Sequence, residues 1–166
     1  MSIKLAEPLE TKRLFIHQFT QEDIDYLVPN LNSGVLKPSL QINYNDEKSD
    51  KVYLSLQLRV SDQIIGFIIL QTLEEKEQIE CYYELLPQYT GNGYAIEVMK
   101  KVLAYVFTNY KFTKIVAYIE QGNSKGWKVA ERSGLKYMGD IVRKDADEKV
   151  LYFLIDKKDY VNQFQN

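Results

Sequence analysis

The spacing of apolar positions changes along the chain, and those changes divide it into elements. Arg13 to Phe19 sets Leu14 and Ile16 against Phe15 and His17, the period-two alternation of a strand. Ile24, Leu27, Val28 and Leu31 then recur at helical spacing. They follow Thr20-Gln21-Glu22-Asp23, a hydroxyl cap with an acid at the third helical position. Val52 to Arg59 and Gln63 to Thr72 are β-rich runs joined by the turn signal Val60-Ser61-Asp62, and Gly66 inside the second reads as a bulge. The charged Glu74-Glu75-Lys76-Glu77 turns the chain into an aromatic-rich run, Ile79 to Leu86, that suits a buried pleated surface. Pro87 stops it, because proline cannot donate to a sheet ladder.

Past Pro87 the period becomes helical. Ala95, Val98, Met99, Val102, Leu103 and Val106 form an apolar stripe opposed by Glu97, Lys100, Lys101 and Thr108. Lys114 to Ile119 is a second buried strand, so a strand–loop–helix–strand unit with a parallel pair is predicted. Asn123 and Ser124 open a short helix closing at Ser133-Gly134. Tyr137 to Arg143 and Val150 to Ile155 predict a hairpin around Asp145-Ala146-Asp147-Glu148, and Lys157 to Phe164 a closing helix. The polar stretch from Asn30 to Asp50, with Gly34 and Pro38, predicts a loop or irregular helix.

Composition narrows the function classes. A chain of 166 residues predicts a single domain over residues 1–166, and 45% hydrophobic content argues against disorder. The net charge of −2, with both signs dispersed, gives no electrostatic case for nucleic acid as a partner. A lone cysteine, Cys81, excludes an internal disulfide framework, and a single histidine argues against a histidine-based metal site, so no metal is expected. His17 reads as a packed or surface residue. Met1 to Glu10 lacks an apolar signal core and no run approaches a membrane span, which points to a cytoplasmic protein without a membrane partner.

The stretch Leu85-Leu86-Pro87-Gln88-Tyr89-Thr90-Gly91-Asn92-Gly93-Tyr94-Ala95 carries the candidate chemistry. Two glycines ahead of a helix remove side chains where unpaired amides can face phosphate oxygens. A Walker-type loop would end Gly-Lys-Ser/Thr, where this chain has Gly93-Tyr94-Ala95. A dinucleotide fingerprint needs a small residue where Ile96 stands. The spacing of Gln88, Gly91 and Gly93 instead resembles the pyrophosphate loop of the GNAT acetyltransferases, Gln/Arg-x-x-Gly-x-Gly/Ala. Pro87 to Glu97 is similar to the RimJ/RimL-like branch, which tends to read Pro-Glu-Tyr-Trp-Gly-Lys-Gly-Tyr-Ala-Thr-Glu. Asn123, Glu131 and Gly134 fall in register with that branch's Asn-x-x-Ser…Glu-Lys-Leu-Gly-Phe segment. Glu10-Thr11-Lys12-Arg13-Leu14-Phe15-Ile16 and Phe19-Thr20-Gln21-Glu22-Asp23 resemble its opening, for which a structural role is expected.

The resemblance implies a mixed α/β (α+β) GNAT fold: a central, mostly antiparallel sheet with a splayed parallel strand pair, flanked by helices. The strands should part after Leu86. It implies acetyl-CoA as cosubstrate, bound by Leu85, Leu86, Gln88, Tyr89, Thr90, Gly91, Asn92, Gly93, Tyr94 and Ala95, with Asn123 on the pantetheine amide. Glu80 and Glu84 are the candidate catalytic carboxylates. They lie four apart on one strand, so they project from one face with Tyr82 between them. Glu80 matches the glutamate of the family's Glu-Ile-Gly-Tyr-Trp-Leu block. The implied activity is acetyl transfer to a primary amine, a protein N-terminus or a small molecule, by a monomer or homodimer. Asn30 to Asp50 would wall the acceptor side, with Tyr44 a possible contact. Two family hydroxyls are missing: the general-acid tyrosine position is Ala130, and the branch's serine position is Gly126. Ser124, Tyr89 or water could substitute, or the thiolate could leave without a protein acid. These gaps leave open a non-catalytic acyl-CoA-binding or sensor domain. Trp127 is either a core anchor or a wall of the cofactor channel.

Overall fold

The computed structural model describes residues 3–5, 7–31, 33–36, 50–75, 77–143 and 147–164. Tyr44, most of the polar stretch around it and part of the 145–148 turn lie outside them. Two compact units are formed, one by Met1–Leu70 with Tyr83–Val98 and the other by Gln71–Tyr82 with Met99–Asn166.

In the first unit, β1 (Leu9–Glu10), β2 (Leu14–Gln18) and β3 (Lys51–Leu58) pair antiparallel. Ile16 sits opposite Leu9 on one side and Leu56 on the other. A tight turn with Asp62 at φ 60° leads into β4 (Ile64–Thr72), and Leu58 N–H donates to Gln63 C=O across it at 2.9 Å. Leu14, Ile16, Leu54, Leu56, Ile65 and Phe67 are fully buried. The predicted cap opens α1 (Gln21–Asn30): Thr20 Oγ1 accepts from Asp23 N–H, and the Asp23 carboxylate accepts from Thr20 N–H. Of β5 (Gln78–Leu85) the last residues belong to this unit, and beyond them Leu86 N–H donates to Ile65 C=O at 2.8 Å. Gly66 meets that approach. A Cβ there would lie 2.3 Å from Glu84 O, so what the structure demands at Gly66 is room for a neighbouring backbone.

The second unit holds most of α2 (Tyr94–Asn109), then β6 (Lys114–Glu120), α3 (Ser124–Arg132), β7 (Lys136–Arg143), β8 (Glu148–Asp156) and α4 (Lys157–Phe164). Its strand order is β5-β6-β8-β7. The β5–β6 pair is parallel and the other two are antiparallel. The predicted stripe of α2 is buried here at Met99, Val102, Leu103 and Val106, with Phe107. Helix α3 ends with Gly134 at φ 104°, where Leu135 N–H returns to Ala130 C=O and Gly134 N–H to Glu131 C=O.

The expected fold class holds: a mixed α/β arrangement whose strands are antiparallel apart from one parallel pair, flanked by helices. The point of parting differs from expectation. The β5–β6 ladder runs from Gln78↔Lys114 to Glu80↔Val116 and stops there, well before Leu86. Strand β6 continues to Glu120 because β8 pairs with it along its whole length. Among the described residues no helix is long and apolar enough to cross a membrane.

Candidate active site

In the first unit the loop after β5 is shaped by its own backbone. Pro87–Tyr89 makes one 3-10 turn, with Tyr89 N–H on Leu86 C=O and Thr90 N–H on Pro87 C=O. Leu86 is fully buried and Leu85 half-buried, which anchors the loop. Gln88 is exposed, and Tyr89 and Thr90 are partly so. Thr90 Oγ1 donates to Pro87 C=O, and Asn92 Nδ2 to Thr90 C=O at 3.3 Å. Gly91 and Gly93 both take left-handed conformations, φ 83° and 81°, which side-chain-bearing residues adopt only at a cost. A Cβ on Gly91 would meet nothing within 4 Å, so the concave side of the loop is open. The first helical bond of α2 runs from Glu97 N–H to Gly93 C=O. The amides of Tyr94, Ala95 and Ile96 precede it, where no carbonyl of the helix can reach them. Open space, two glycines and a helix N-terminus suit the oxygens of a diphosphate.

That loop is clasped from the segment between β1 and β2. Glu97, in the first turn of α2, accepts from Thr11 Oγ1 at 2.5 Å, Arg13 N–H at 3.0 Å and Arg13 Nε at 2.8 Å. Arg13 also stacks over Tyr94, 4.3 Å from the ring centre, and its Nη2 lies 3.5 Å from where a Gly93 Cβ would be. Partial burial pushes the Glu97 carboxyl upward. The hydrogen bonds from Thr11 and Arg13, with the arginine charge, outweigh burial and hold it below the usual glutamate value. The pairing also offsets a negative charge that would otherwise oppose a phosphate at this helix end.

The two candidate carboxylates have different partners. Glu84, in the first unit, accepts from Ser33 Oγ at 2.5 Å. Glu80, in the second, is buried, and its Oε1 lies 3.4 Å from Arg143 Nη1. Arg143 lies over the Tyr118 ring at 4.9 Å, and Tyr118 stacks on Tyr152 at 5.5 Å with an 18° interplanar angle. Burial, Tyr152 and the Glu80 charge push the Tyr118 phenol up, with Arg143 opposing. Burial and then the Glu80 charge push the Cys81 thiol up, so the lone cysteine stays protonated and unreactive.

A family profile described as an acetyltransferase (GNAT) domain matches residues 13–136. This chain belongs to the GNAT acetyltransferase family. YoaA of Bacillus subtilis, named as an uncharacterized N-acetyltransferase, is 25% identical over 148 residues, a match that spans 79% of this chain and 84% of that relative. YkkB of the same organism is 36% identical over 70 residues, so the match spans 42% of this chain and only 41% of YkkB. A GNAT acetyltransferase from Bacillus anthracis superposes with a TM-score of 0.74 at 19% identity, covering 92% of this chain and 99% of that one. AAC(6')-Ib, solved with ribostamycin and coenzyme A, gives 0.77 at 14% identity, covering 93% and 99%. At such identities the likeness establishes the shared fold alone.

The departures from the GNAT pattern have local causes. Asn123 is the N-cap of α3, its Oδ1 accepting from Gly126 N–H at 2.9 Å. A Cβ on Gly126 would lie 2.6 Å from Asn123 Nδ2, so the branch's serine cannot stand here while this cap keeps its geometry. Ala130 is completely buried, leaving no room for a tyrosine ring without repacking. Ser124 is exposed and Trp127 half-buried. His17 is packed between the Gln57 side chain, 3.0 Å from Nε2, and the Gln18 carbonyl, 2.9 Å from Nδ1. The sequence reading assigned no site role to Arg13, Arg143, Tyr118 or Ser33. Only Arg13 left a trace, in the resemblance of residues 10–16 to the family opening. The contacts of the others depend on pairing between distant segments.

Proposed function

We propose that this GNAT domain is an N-acetyltransferase of the RimJ/RimL-like type that transfers the acetyl group of acetyl-CoA to a primary amine. The observation that carries the reading is the loop from Gln88 to Ala95, with both glycines left-handed and clear space beside Gly91. AAC(6')-Ib, similar in fold, is known in complexes with coenzyme A and with acetyl-CoA. On this reading the loop amides receive the pyrophosphate, and the enzyme contributes chiefly positioning and polarisation of the thioester carbonyl. The acceptor nitrogen attacks that carbonyl directly, the C–S bond breaks, and the thiolate leaves. An amine is mostly protonated at neutral pH, so a base is useful. Glu80 is assigned that role, with Glu84 the second candidate. The acceptor is a protein N-terminus or a small amine.

A second reading, an acyl-CoA-binding domain without turnover, is favoured by one observation: the two usual hydroxyl positions are the buried residues Ala130 and Gly126. Release of free thiol from acetyl-CoA across an amine panel separates the two. Amine-dependent thiol release supports the transferase, and tight binding with no release across the panel supports the sensor.

A further inference from the structure

The surroundings of Arg143 are those of a cation-binding site whose cation is supplied by the chain itself. Glu80 provides a carboxylate at 3.4 Å, and Tyr118 an aromatic face at 4.9 Å. Tyr152 backs that face, its ring stacked on Tyr118 at 5.5 Å. A carboxylate beside a tyrosine face is the chemistry that binds ammonium and guanidinium groups. The Glu80 side chain is only 10% exposed, so its charge needs a cation beside it. Arg143 meets that need, with Nη1 3.4 Å from Oε1. It is the last residue of β7 and 31% exposed, with a route to water.

We propose that Glu80, Tyr118 and Tyr152 form a cation subsite that Arg143 holds when no acceptor is bound and yields to the acceptor's ammonium or guanidinium group. The proposal rests on the amine-acceptor reading above. An acceptor arriving as an ammonium ion replaces one cation by another, so the Glu80 charge is never left bare. Its N–H bond then breaks toward the Glu80 carboxylate, an O–H bond forms, and the nitrogen keeps the lone pair that attacks. Arg143 thereby sets acceptor affinity. Acceptors must outcompete a tethered guanidinium, which disfavours neutral and weakly basic amines.

The test is Arg143→Ala, with Arg143→Gln carrying the same readouts if the alanine variant does not fold. Ethylguanidinium, a free stand-in for the missing side chain, should raise the melting temperature of the variant saturably and leave wild type unaffected. The KM of cationic amines should fall about fivefold in the variant, and ethylguanidinium should compete with them. An unchanged KM with lowered kcat, and no response to ethylguanidinium, would mean that Arg143 only positions Glu80 and would overturn the proposal. Stabilisation by ethylguanidinium with no amine acetylated by either protein would uphold the subsite while removing the transferase reading.

Discussion

Arg13–Glu97 and Arg143–Glu80 are both arginine–carboxylate pairs between segments far apart in sequence, yet they are held differently. Arg13 is the more exposed arginine, 40% against 31%, but its partner is fixed by three hydrogen bonds, one of them from the backbone. Arg143 reaches Glu80 at 3.4 Å and rests on an aromatic face, which attracts a cation without fixing its direction. Exposure alone does not distinguish the two pairs. The first pair clasps the loop before α2, and the second is the contact proposed to be exchanged.

The comparison is broken most severely at the loop itself. Gly93→Val puts a β-branched residue at φ 81° and against Arg13 Nη2, so acetyl-CoA binding should fall below detection while circular dichroism stays native. Wild-type affinity in that variant would remove the phosphate-loop assignment. On the exchangeable side, Glu80→Gln should lower kcat about a hundredfold, most at low pH where the acceptor is most protonated. Wild-type rates at every pH would show that Glu80 is not the base.

Glu97→Gln tests the clasp. It should cost about 1–2 kcal/mol, reduced from the buried-pair range because Arg13 is exposed, and lower the melting temperature by roughly 3–6 °C. The Glu97 carboxyl is held below its ordinary value of 4.5, so its stabilisation is complete above that pH and is lost as pH falls through the lowered native value. The gap between wild type and Glu97→Gln should therefore close in acid and stay constant toward alkaline pH. Closure toward alkaline pH would contradict the assignment. The smallest effect is expected at Gly126→Ser, which displaces the Asn123 cap and should cost about 1 kcal/mol of stability. No change in melting temperature would mean the cap can re-form around the hydroxyl.

Much of the fold could be read in the sequence because its signals are local. The alternation of β2, the Thr20 cap, the Pro87 stop and the stripe of α2 each lie within a dozen residues. The loop was legible for the same reason, since Gly91 and Gly93 mark conformations that other residues resist. What was hidden depends on distant pairing. Gly66 looked like a bulge because nothing in its own strand reveals that Glu84 O approaches it. Gly126 looked like a missing hydroxyl, though its bare backbone is what the Asn123 cap needs. Arg143 reaches Glu80 because β7 joins the sheet through β8 and β6, a route no local pattern encodes.

The most direct test of the central claim is thermal unfolding of the purified protein with acetyl-CoA, and with ATP as the control. At about a hundred times its dissociation constant, acetyl-CoA should add roughly 2.7 kcal/mol and raise the melting temperature by about 5–10 °C, while ATP leaves it unchanged. No shift with acetyl-CoA, or an equal shift with ATP, would contradict the account.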